Sequence, residues 1–160
     1  VLKKILAELI PGLEGGGEAD LFYGMIDRRS FDLTYCLLGE LFAFHLPFGS
    51  KNMKLLESSG PTVEKGHAQK LTSKTLSLNP RDRLLICTRG VIEVKNLDEE
   101  SFGFERLCQS ITEAGKSGVH ELRNQILYQV QKFSGGQEPP RDQTVLVLEV
   151  KDRVIKLAKK

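Results

Sequence analysis

Leu78-Asn79-Pro80-Arg81-Asp82-Arg83-Leu84-Leu85-Ile86-Cys87-Thr88-Arg89-Gly90-Val91-Ile92-Glu93 is the stretch on which the reading of this 160-residue chain turns. Pro80-Arg81-Asp82 punctuates the chain as a turn, and the apolar run that follows, to Thr88, has the length of a buried strand. Upstream, Leu21-Phe22-Tyr23-Gly24-Met25-Ile26 and Leu33-Thr34-Tyr35-Cys36-Leu37-Leu38 flank a polar turn and predict a hairpin. Residues 41–46, 53–56 and 71–78 are further strand candidates, and short loops between them favour antiparallel pairing. Downstream, Phe104, Leu107, Cys108 and Ile111 share a helical face after the acidic Asp98-Glu99-Glu100, which suits a helix N-terminus. Val119, Leu122, Ile126, Val130 and Phe133 form a second helical stripe, and residues 144–150 are the strongest strand signal in the chain. Leu2, Ile5, Leu6 and Leu9 make a short amphipathic helix over residues 1–10, stopped by Pro11-Gly12. It has no capping residue before it, so its natural start is expected upstream. Strands early and helices in a later block give an α+β class with a mainly antiparallel sheet.

Composition narrows function by exclusion. The 23 Lys and Arg against 21 Asp and Glu leave a net charge of +2, too small to imply a polyanion, so no nucleic-acid partner is expected. No run approaches the ~18 apolar residues of a membrane span, and no secretory leader is visible. Cys36, Cys87 and Cys108 are widely separated and lie in apolar contexts, where cysteine is a small hydrophobe; a reduced, cytoplasmic setting follows. His45, His67 and His120 each lack a second ligand at metal spacing. The triple glycine at residues 15–17 follows a helix, the reverse of a phosphate loop, and Ser58-Ser59-Gly60-Pro61 is a turn and not a nucleophile elbow. The basic tail of residues 151–160 reads as a solvated terminus.

Residues 78–93 resemble the signature of bacterial metal-dependent serine/threonine phosphatases of the SpoIIE and RsbU type, roughly L-x-P-G-D-R-L-L-L-Y-T-D-G-V-T-E. Four more segments resemble the family in order. Leu21-Phe22-Tyr23-Gly24-Met25-Ile26-Asp27 matches T-L-F-Y-G-V-L-D, and Leu33-Thr34-Tyr35 with Gly39 matches L-x-Y-x-N-A-G-H. Phe102-Gly103-Phe104-Glu105-Arg106-Leu107 matches F-G-x-E-R-L, and Arg141-Asp142-Gln143-Thr144 matches D-D-x-T. The resemblance implies a single phosphatase 2C-like domain over residues 1–160, a β-sandwich of mainly antiparallel sheets flanked by helices. In active members, Mg²⁺ or Mn²⁺ held by aspartates activates water against a phosphoserine or phosphothreonine.

Two aspartates of that metal site align with Arg89 and Arg141. A guanidinium has five donors, a fixed positive charge and no acceptor, so it repels the hard cation that an aspartate binds. Asp142 survives at the second position of its pair, and Glu40 follows Gly39 where the family has histidine. The family's G-D-Y-Y-D and D-x-x-G-H-G elements have no counterpart, so the chain reads as missing the N-terminal strands, a C-terminal portion of a longer protein.

The expectation is a degenerate, metal-free phosphatase domain with no cofactor, acting by protein binding in partner switching, sigma-factor regulation or response-regulator output. The candidate partners are a phosphorylated anti-sigma-factor antagonist or a kinase, and a homodimer is a further candidate. Arg89 and Arg141 are the candidate phosphate-binding residues; the alternative is that each pairs with a carboxylate such as Glu93, Asp142 or Glu40. The competing function is an active Mn²⁺- or Mg²⁺-dependent phosphatase whose missing ligands lie upstream.

Overall fold

Helical and alternating apolar patterns each become the expected element in a computed structural model that describes residues 1–13, 17–50, 52–64, 72–114 and 117–151. In chain order these are α1 (Leu2–Gly12), β1 (Glu18–Ala19), β2 (Leu21–Ile26), β3 (Asp32–Leu38), β4 (Phe42–Leu46), β5 (Lys54–Leu55), β6 (Val63–Glu64), β7 (Lys74–Ser77) and β8 (Arg83–Cys87). A single 3₁₀ turn at Arg89–Val91 follows, then α2 (Gly103–Glu113), α3 (Val119–Ser134) and β9 (Val145–Glu149). The ladders between these strands are all antiparallel, with orders β1-β6, β2-β3-β7 and β5-β4-β8-β9.

Because side chains alternate across a strand, the two larger sheets divide the core into layers. Leu33, Tyr35 and Leu37 of β3 meet Ala43, Leu84 and Ile86 of β4 and β8 inside the sandwich. On the far side of the four-stranded sheet, Phe44, Leu85 and Cys87 pack against Leu107, Ile111, Leu122, Ile126 and Val130 of α2 and α3. On the far side of the three-stranded sheet, Cys36 and Leu38 pack on Leu6 of α1. The order helix, sheet, sheet, helices is the expected sandwich of antiparallel sheets flanked by helices. β8 is covered on both faces, which is why its sequence is a continuous apolar run and not an alternation. Each fully buried aliphatic side chain in it contributes roughly 1.5–3 kcal/mol of transfer free energy.

Four local expectations change. Asp98-Glu99-Glu100 does not open α2; the side chain of Asn96 accepts the N–H groups of Asp98 and Glu100 in a tight turn, and the helix begins at Gly103. Phe102, just outside the helix, is the buried aromatic, whereas Phe104 is 38% exposed and lies against Phe42 and Phe44 with ring centroids 5.5 and 5.9 Å away. The expected strand at residues 53–56 shortens to two residues, and α1 continues through Pro11 and Gly12. His67 and most of the basic tail lie outside the described residues, as does Leu71 of the expected strand at 71–78, which is regular over Lys74–Ser77.

Candidate functional site

β8 delivers a charged cluster at each end. At its start, Asp82 is buried, and both of its oxygens are used. Oδ1 accepts the Phe48 N–H at 2.8 Å, and Oδ2 accepts the Asn79 N–H at 2.9 Å and Nε2–H of buried His45 at 2.8 Å. Burial pushes the Asp82 carboxyl up, but those two backbone donors, followed by His45, pull it further down, and its pKa falls below the ordinary value. The other ring nitrogen of His45, Nδ1, is buried and has no hydrogen-bond partner among the described residues. His45 falls in the expected strand over residues 41–46; nothing in sequence spacing announced Asp82, 37 residues away, as its partner.

At the other end, one turn of helix sets the geometry. The N–H groups of Ile92 and Glu93 bond back to Arg89 O at 3.0 and 3.2 Å, and buried Val91 and Val94 seat this turn on the core. Residues four apart on a helical turn face the same way, so Arg89 Nε reaches Glu93 Oε1 at 2.5 Å. The loop entering β9 is stitched alongside. Thr88 N–H donates to Thr144 O at 3.1 Å, Thr88 Oγ accepts the Thr144 N–H at 3.0 Å, and Thr88 O–H donates to Asp142 O at 3.1 Å. Gly90 permits that approach, since a Cβ there would lie 2.4 Å from Asp142 O. The stitching carries Arg141 to the same carboxylate, Nε to Glu93 Oε2 at 3.3 Å.

The fourth member arrives from the turn between β3 and β4. Gly39 takes φ +85°, and a Cβ on it would overlap the Asp20 carboxylate, so glycine is required for the chain to turn here. Glu40, the next residue, bonds Nη1 of Arg89. Glu40 and then Glu93 raise the already high pKa of Arg89, since both favour its charged form. The expected positions Arg89 and Arg141 therefore converge, on a shared Glu93 that the sequence offered only as one of several carboxylates. Asp142 takes part through its carbonyl oxygen, not its carboxylate.

The donor set does not suit a divalent cation. The carboxylates nearest Arg89 and Arg141 are each engaged by a guanidinium, and among the described residues no group of three or more His, Cys, Asp or Glu side chains is placed to hold a metal. Burial, and then Cys108, pushes the Cys87 thiol up to about 12, and burial and then Glu105 raise Cys108, so both thiols are held toward the protonated, less reactive form. Among the described residues no helix is long and apolar enough to cross a membrane.

The family model described as Stage II sporulation protein E (SpoIIE) matches residues 1–151. Protein IcfG of Synechocystis is 33% identical over 95 residues, covering 59% of this chain and 15% of that protein. The SiaA-PP2C domain of Pseudomonas aeruginosa superposes with a TM-score of 0.70 at 15% identity, over 91% of this chain and 56% of that one. The structure of the RsbU and RsbW domains of a Mycobacterium tuberculosis protein superposes with a TM-score of 0.73 at 18% identity, over 94% of this chain and 42% of that one. The chain thus spans about one seventh of the length of the curated relative and about half of these solved chains.

Proposed function

The chain belongs to the SpoIIE family, and from that premise we propose that it is a phosphatase-fold domain that acts by binding a protein in bacterial signalling and not by hydrolysing a phosphoester. The observation that carries this reading is the cluster of Arg89, Arg141, Glu40 and Glu93 at the pole where the family's aspartates would hold metal. Two fixed positive charges there offset two carboxylates, so the attraction that would gather a divalent cation is already satisfied internally. The fold is meanwhile kept intact around the site, with Gly90 and Thr88 still joining the ends of β8 and β9. A scaffold retained without its metal chemistry fits a binding role. The family resemblance points to partner switching, sigma-factor regulation or response-regulator output, with a phosphorylated anti-sigma-factor antagonist or a kinase as partner.

Calorimetric titration of the chain with Mn²⁺, paired with turnover of a chromogenic phosphate ester, tests the reading. No binding heat and no turnover are expected from this chain or from the longest natural protein that contains it. Mn²⁺-stimulated turnover by the longer protein would replace this reading with that of an active phosphatase completed by ligands from other sequence.

A further inference from the structure

The geometry points to Arg89 and Arg141 as a two-arginine clamp for a phosphoryl group, held shut by Glu40. The inference rests on the binding-domain reading above and specifies what its site takes.

Glu93 is the organiser. Each of its oxygens forms an ion pair with a different arginine, Oε1 lying 2.5 Å from Arg89 Nε and Oε2 3.3 Å from Arg141 Nε. Nε is the guanidinium nitrogen paired with Glu93 in both arginines, so Glu93 does not take up their Nη donors. On Arg141, whose side chain is 62% exposed, no further partner is present among the described residues. On Arg89, Nη1 is taken by Glu40. Without Glu40 the cluster of Arg89, Arg141 and Glu93 carries +1, and its free donors belong to two planar forks beside one another. That donor set matches a tetrahedral phosphoryl group, which accepts from two arginines at once.

Glu40 occupies this site as an internal anion. It is a single-charged carboxylate on an exposed turn, and its pair with Arg89 is solvated on both sides, the class of ion pair that contributes least to stability. A phosphomonoester near pH 7 brings close to two negative charges and three acceptor oxygens. The dianion therefore displaces the carboxylate at Arg89 and adds the contact with Arg141 that Glu40 does not make. Glu93 stays in place, because it holds both Nε groups and leaves the outer donors uncovered.

A phosphoserine peptide, its unphosphorylated form and inorganic phosphate, each titrated by calorimetry in EDTA, provide the test. Phosphopeptide binding at least tenfold tighter than that of the unphosphorylated form assigns the ligand to a partner's phosphoserine; phosphate alone binding as tightly as phosphopeptide assigns it to a free ion. In either case Glu40→Gln should bind at least threefold tighter than wild type. Arg141→Ala, an exposed substitution that keeps the fold, should bind at least fivefold more weakly. Equal affinities for wild type, Glu40→Gln and Arg141→Ala overturn the clamp. Because metal is excluded, that result is independent of whether Mn²⁺ turnover overturns the reading beneath it.

Discussion

At the Asp82 end of β8 the charges are buried and each carboxylate oxygen is occupied, whereas at the Arg89 end, one strand length away, the charges are solvated and several guanidinium donors remain open. The two clusters sit at opposite ends of one strand, and each gathers around a carboxylate, Asp82 in the first and Glu93 in the second. Water separates their roles. Removing a partner from a dry cluster exposes the desolvation cost of what is left, while removing one from a wet cluster lets water take its place. The first end is accordingly a structural tie between the loop after β4, the turn before β8 and the strand itself. The second is a surface whose composition is free to set function.

The largest effect expected from this contrast is at Asp82. Asp82→Ala strands the N–H groups of Asn79 and Phe48 and the Nε2–H of His45 inside the protein, and should cost about 3–5 kcal/mol in urea unfolding. A cost under about 1 kcal/mol would erase the distinction between the two ends. The pH dependence has a definite sign. A carboxyl whose folded pKa is depressed contributes stability that is present above its unfolded value of about 3.9 and is lost as pH falls through the folded one. The wild-type midpoint should drop steeply below about pH 4. Asp82→Asn, with no carboxyl to protonate, should start lower and fall less.

Gly90→Ala comes next, because it acts on the backbone beneath the solvated end. The new Cβ meets Asp142 O at 2.4 Å and Arg141 O at 3.0 Å, both main-chain atoms that move only if the loop moves. Overpacking of this kind costs about 1–3 kcal/mol. It should also part Arg141 from Glu93, so crystals of the variant should show the loop displaced and that pair open. An unmoved loop with wild-type stability would mean that close backbone approach is not what joins β8 to β9.

How much of this was legible in sequence follows the same division between core and surface. The longer strands of the two larger sheets, and both late helices, follow from apolar runs and periods, because burial of a face is a property of many residues at once. The two-residue pair β1-β6 has no period to detect and exists only because its neighbours bring Ala19 to Val63. Asp98-Glu99-Glu100 suggested a helix start by charge, but Asn96 captures the backbone two and four residues on, a local bond that outweighs a dipole preference worth only a few tenths of a kcal/mol. Arg89 and Arg141 were found by resemblance and not by pattern. Their meeting at Glu93 depends on Thr88 and Gly90 holding a loop that includes Asp142, 54 residues after Thr88, which no window along the chain contains.

The smallest effect is expected where the charges are densest. Arg89 touches Glu40 and Glu93, yet its side chain is 41% exposed and its partners 47% and 25%, so water and salt screen all three. Its raised pKa adds no pH dependence, because a group charged in both folded and unfolded states below about pH 12 contributes equally across the working range. Arg89→Ala, and the double variant with Arg141→Ala, should therefore share the wild-type urea midpoint at pH 7 and pH 9, in low and high salt alike. A fall approaching that of Asp82→Ala would make the arginine cluster a second structural tie and leave it no freedom to release Glu40. An unchanged midpoint leaves the cluster to be judged by what it binds, since residues that do not hold the fold together are the ones whose charge can be exchanged without losing it.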